Sequence, residues 1–159
     1  MNNYNFYKKE GSQYIFKNQP VFVAVLSLFF LVVAGFTFNS VRIMSLILIA
    51  LVVLIVINFF TKKFIIDMDQ KTITGKHTVF ASAKTYSIQD FTNFEVIGTK
   101  YLGLFTVNVA LFMHFEVNGK QEKLTIGQAV THKGIQKMIN ETEDIMNINE
   151  ADNERNRPV

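Results

Sequence analysis

The stretch "NFFTKKFIIDMDQKTITG", Asn58 to Gly75, changes character twice within eighteen residues. It opens as the end of a long uncharged run, passes Lys62 and Lys63, and continues from Phe64 as an alternation of apolar and polar side chains. Alternation with a period of two marks a half-buried strand, whereas an apolar run that is greasy all the way round marks a helix in apolar surroundings. No Gly, Pro or Ser separates the two regimes. A chain that leaves an oily helix and enters a strand without a linker holds the two parts in one orientation.

Upstream of this junction lie two uncharged runs. Val21–Phe38 has eighteen residues, thirteen of them Val, Leu or Phe, and Ile43–Phe60 has eighteen with fourteen Leu, Ile, Val or Phe. At about 1.5 Å per residue each reaches roughly 27 Å, close to the hydrocarbon thickness of a bilayer. The spacing predicts transmembrane helices over 21–38 and 43–60, joined by a short external loop over 39–42. Pro20 stands where a missing N–H costs little. No small-x-small cleavage site follows the first run, so a signal peptide is not expected. Lys8, Lys9 and Lys17 precede the pair, Lys62 and Lys63 follow it, and the loop offers only Arg42. The positive-inside rule then predicts both termini in the cytoplasm, with Lys17, Phe59, Phe60, Lys62 and Lys63 at the membrane interface. No carboxylate, lysine or histidine falls at membrane depth, which argues against an ion or proton path. Asn58 is expected to be solvated among the headgroups, and the absence of GxxxG leaves no strong helix-pairing signal.

Composition excludes several classes of function. The formal charge of +3 comes from the first sixty residues, because residues 61–159 carry twelve basic and twelve acidic side chains. A neutral soluble part has no field with which to displace counterions from phosphates, so nucleic acid is not an expected partner. With no cysteine, disulfides, thiolate catalysis and Cys-ligated zinc are excluded.

Beyond the junction the period of two persists. "FIIDMD" predicts a short strand and "DQK" a tight turn, after which "TITGKHTVF", "AKTYSI", "FTNFEVIGTK" and "LFTVNVALFMHFEV" predict further strands. In the last of these Val107, Val109, Leu111, Met113, Phe115 and Val117 share one face, with Phe112 an exception on the other. Asn118-Gly119 is the strongest short hairpin signal, and "EKLTI" returns as its partner strand. After "GQAVT" the spacing becomes helical through Ile135, Met138, Ile139 and Ile145, with Thr131 as N-cap. The predicted parts are a cytoplasmic aromatic and basic segment over 1–20, the two helices, a soluble domain over 61–147 and a frayed tail over 148–159. The aromatics of 1–20 fit an interfacial belt, preferred here over a strand pair docking on the domain.

A two-helix membrane hairpin followed by an antiparallel sheet and one closing helix resembles small bacterial membrane proteins with a bacterial PH-like domain. "IDMDQKTIT", "SIQDFTNFEV" and "VNGKQEKLTIG" are its local echoes. The resemblance implies an antiparallel PH-like sheet or barrel capped by a C-terminal helix, the alternative being another small α+β sheet packed on one helix. It does not extend to phosphoinositide binding, because the loop Asp69-Gln70-Lys71 lacks a cationic clamp.

Chemistry is sparse. His77, His114 and Glu116 form the one candidate polar cluster, and surface histidines are the plainer reading. Asp67 and Asp69 are expected to be solvated. No catalytic motif and no metal-ligand spacing appears, and no cofactor is expected. The expected function is non-catalytic: an integral protein of the bacterial cytoplasmic membrane, docking partners at the cytoplasmic face as a subunit, scaffold or assembly factor of a larger complex. Its partners would be membrane lipids, contacted through the two helices, and a protein partner or a second copy. The alternatives are a small membrane immunity or envelope-stress protein, and then an enzyme or lipid-transfer protein.

Overall fold

The computed structural model describes residues 4–101, 105–129 and 131–146. The described elements run β1 (Tyr7–Glu10), β2 (Gln13–Phe16), α1 (Val21–Thr37), α2 (Arg42–Thr61), β3 (Lys63–Asp67), β4 (Thr72–Lys76), β5 (Lys84–Ser87), β6 (Phe91–Tyr101), β7 (Phe105–Val117), β8 (Lys120–Ala129) and α3 (His132–Met146). The strands form two antiparallel sheets, one ordered β1-β2-β3-β4-β5 and one ordered β6-β7-β8. This corrects the single PH-like sheet or barrel expected from the resemblance. The sheets separate at the short 3-10 turn Ile88–Asp90, where the Ser87 hydroxyl accepts the Gln89 N–H and β5 gives way to β6 without pairing to it.

Two spanning helices were also expected, and α1 does not meet that expectation. Among the described residues only α2, at 20 residues, is long and apolar enough to cross a membrane. At 17 residues, α1 extends about 26 Å, short of a hydrocarbon core of about 30 Å. It ends in a turn in which the Thr37 carbonyl accepts the N–H groups of Ser40 and Val41, while the Thr37 hydroxyl bonds back to the carbonyl of Val33. The two helices pack through small side chains, with Ser27 and Ala34 of α1 and Ser45 and Val52 of α2 buried between them. Thr37 and Ser45 share a 2.9 Å hydrogen bond across the seam. Small residues let helix backbones approach closely, so this seam needs no GxxxG.

The third correction concerns the N-terminal segment. Instead of lying at an interface, β1 and β2 form a hairpin whose second strand pairs with β3, Tyr14 opposite Ile66. The segment before α1 and the domain after α2 therefore share one sheet, on one side of the helix pair. Tyr7 is 2% exposed and its hydroxyl bonds Thr142 of α3 at 2.7 Å. Burial pushes this phenol well above its ordinary range, which keeps it neutral and able to hydrogen-bond. Glu141 completes the attachment, accepting the backbone N–H groups of Asn5 at 3.0 Å and Phe6 at 2.9 Å.

One core joins the two sheets and α3. Phe64, Ile66 and Ile73 of the first sheet meet Leu111, Met113 and Phe115 of the second, while Ile135, Met138 and Ile145 cover them from α3. The alternation read from β7 holds at Val109, Leu111, Met113 and Phe115, all fully buried; the side chain of Val107 lies outside the described residues. Asn118 and Gly119 adopt φ of 52° and 73°, as a two-residue hairpin of the primed type requires. Thr131 caps α3 as expected, its hydroxyl accepting the Gly134 N–H at 3.2 Å.

Candidate functional site

The junction between α2 and β3 is as abrupt as the sequence indicates. Lys62 leaves helical geometry for an extended conformation and β3 begins at the next residue. Ending a helix leaves carbonyls without partners, and here Asn18 supplies one, its Nδ2 donating to the Lys62 carbonyl at 2.9 Å. Asn58, expected to be solvated, instead accepts the Val79 N–H at 3.1 Å. That bond ties the β4–β5 connection to the last turns of α2. Phe80, in the same connection, is 88% exposed.

Around this junction opens a cavity of about 510 Å³, within the range of about 300–1,000 Å³ usual for ligand sites. Four separate segments build it: Phe6 and Phe16 from the N-terminal hairpin, Phe22 and Phe59 from the helices, Lys76 and His77 from the end of β4, and Phe112 and Ile126 from the second sheet. Gly127 matters to its shape, because a Cβ there would lie 2.4 Å from the Phe16 ring. Only glycine leaves room for that aromatic ring against β8.

The residues singled out from sequence divide between this cavity and other places. Phe59, Lys62, Lys63 and His77 line it. Phe60 packs edge-on against Phe59, with ring centroids 5.4 Å apart, and is itself exposed. Lys17 turns back on its own segment, donating to the Tyr4 carbonyl at 3.0 Å. His114 meets neither His77 nor Glu116. Its Nε2 donates to Glu95 at 2.9 Å, Lys123 stands 3.8 Å from the same carboxylate, and Glu116 is exposed. The His114 hydrogen bond, helped by the charge of Lys123, holds the Glu95 carboxyl below its usual range. Among the described residues no group of three His, Asp or Glu side chains is placed to hold a metal ion.

Asp67, expected to be solvated, is 8% exposed and organises the β3–β4 turn. Its Oδ1 accepts the N–H groups of Gln70 and Asp69, and its Oδ2 accepts from Gln13 at 2.8 Å. These bonds, led by that of Gln70, lower its pKa. His77 is shifted down too, first by burial and then by the charges of Lys62 and Lys84.

Asn18 and Lys76 belong to the site but carry no signal of their own in the sequence, whereas Phe112 broke the alternation of its strand and now proves to line the cavity. Of the first two, Lys76 was the more accessible. The turn "DQK" predicts a hairpin, and that hairpin's register sets Lys76 opposite Lys63. No family model matches the chain, and no curated protein does.

Proposed function

We propose that the chain is a membrane-anchored interaction protein without a catalytic role. In this reading α2 anchors it in the bacterial cytoplasmic membrane and the α+β domain stands at the cytoplasmic face, docking a partner within a larger membrane complex. The observation that carries the reading is the outer surface of the helix pair. Among the described residues, apart from Phe80, Val96 and Ile97, the large exposed apolar side chains lie on the two helices or the turn between them, a concentration unlike the surface of a typical soluble monomer, whose largest apolar patch is about 300–600 Å². Lys62 and Lys63 at the domain end of α2, against the single Arg42 at its other end, favour the cytoplasm as the domain's side.

The docking role is supported by β6. It is one of the two outer strands of its sheet, 11 residues long, and Val96 and Ile97 on it are 42% and 41% exposed. A long apolar edge strand offers unpaired backbone groups to a partner strand. The test is gentle detergent extraction of carbonate-washed membranes, followed by sizing and identification of co-purifying chains. The expected result is a membrane-retained protein in a complex that Val96→Lys weakens, leaving the domain's stability within about 0.5 kcal/mol. A chain that stays in solution without detergent as an 18.2 kDa monomer would overturn the reading.

A further inference from the structure

The junction cavity carries positive charge that the domain does not balance. Lys63 and Lys76 are register partners on adjacent strands, a placement that sets like charges directly opposite and costs stability. Lys62 adjoins Lys63, His77 adjoins Lys76, and all four line the cavity, whereas no carboxylate does. Among the described residues, none of these three lysines has an acidic partner within salt-bridge reach. The depressed pKa of His77 reflects the same surroundings, since burial and the charge of Lys62 both disfavour a further cation. Below this basic rim the walls are apolar, and two of them, Phe59 of the anchoring α2 and Phe22 of the α1 packed beside it, stand where the proposed function brings the chain to lipid.

A ligand suited to this cavity is anionic at one end and hydrocarbon at the other, and it reaches the site along α2. We propose that the cavity holds an anionic phospholipid of the surrounding bilayer, its phosphate between Lys62, Lys63 and Lys76 and the upper part of one acyl chain against Phe22, Phe59 and Phe112. This rests on the membrane-anchored reading. The site differs from the β3–β4 loop, where Asp67 and Asp69 disfavour an anion. A bound phosphate relieves the Lys63–Lys76 repulsion and explains why a cavity with a cationic rim sits where the chain meets the headgroups.

The chain has no tryptophan, so Thr78→Trp, at an exposed position lining the cavity, gives a single indole reporter. The full chain is reconstituted in phosphatidylcholine vesicles containing a minority of phosphatidylglycerol, with bromine on the acyl chains of one lipid or the other. Carbonate washing measures integration in the same samples. The expected result is stronger quenching by the brominated anionic lipid, the preference falling about fivefold for each lysine neutralised in Lys63→Gln and Lys76→Gln. Both substitutions remove a like-charge contact, and an unchanged circular dichroism spectrum confirms that the domain stays folded. Equal quenching by both lipids, or none, in an integrated protein overturns the lipid site and leaves the anchor standing. A protein released by carbonate overturns both.

Discussion

The helix pair and the α+β domain are built from the same apolar residue types and bury opposite ones. Between α1 and α2 the buried side chains are Ser27, Ala34, Ser45 and Val52, while most of the Leu, Ile and Phe side chains are exposed. In the domain the large residues are inside, among them Ile66, Leu111, Met113 and Phe115, and polar groups enter only where they are paired, as Tyr7 is with Thr142. The domain has its own hydrophobic driving force, released when water leaves its core. The helix pair reverses this, with small residues in a close seam and large apolar ones outside, an arrangement that suits the lipid surroundings proposed for α2. The junction at Lys62 is where one regime hands over to the other, and the cavity forms there because neither regime fills it.

The contrast predicts unequal costs for similar truncations. Phe115→Ala should destabilise the domain by about 3–5 kcal/mol, as large core deletions do. Leu46→Ala on the outward face of α2 should leave the domain's denaturation midpoint within about 0.5 kcal/mol of the parent. Denaturant titration of the full chain in detergent, followed by circular dichroism, measures both. Comparable losses would mean that the outer face of α2 is covered by protein.

The attachment of β1 and β2 gives the next effect. Glu141→Ala removes a charged acceptor from two backbone N–H groups, one of them partly buried, and should cost about 1.5–3 kcal/mol. Hydrogen exchange should localise the loss to β1 and β2, with β7 unchanged. Uniform loosening of both sheets would show that the hairpin is part of the folding core rather than an attachment to it.

How far these features could be read from the sequence depended on their range. The alternation through Val109–Phe115, the Asn118-Gly119 turn and the Thr131 cap are decided within a few residues, and periodicity and turn chemistry exposed them. The docked hairpin of β1 and β2 ranked second to an interfacial belt because its partner strand follows some fifty residues later, beyond two helices, and nothing local tells an aromatic that packs on lipid from one that packs on α3. Tyr7 and Phe16 look interfacial by composition and are core by contact. The same limit applied to the site. Lys62 and Lys63 were legible as a basic flank, but the cavity draws on four segments that only tertiary structure brings together. Asn58 and Asp67 were expected to be solvated because a lone polar side chain shows no partner until the fold supplies Val79 or Gln13.

The smallest effect is in the pH dependence of the domain. The folded pKa of Asp67 is depressed, so the unfolded chain, near the ordinary value of about 3.9, binds a proton more readily. The stabilisation is complete above that value and is lost as pH falls below it through the folded pKa. Asp67→Asn should flatten the acid limb of the stability profile, leaving the same-signed contributions of Glu95 and Glu122. An unchanged acid limb in chemical denaturation would show that the β3–β4 turn does not depend on the carboxylate charge.

The most direct test of the two-regime account uses the absence of cysteine. Single cysteines at Glu10→Cys, beside the β1–β2 turn, and Lys120→Cys, beside the β7–β8 turn, are offered to a membrane-impermeant thiol reagent in intact bacterial cells and in inside-out vesicles. Both positions should be protected in cells and labelled in vesicles, since β2 and β3 share a sheet and the proposed function sets that sheet at the cytoplasmic face. Labelling of either position in intact cells would contradict the account, and labelling from opposite sides would break the sheet on which it rests.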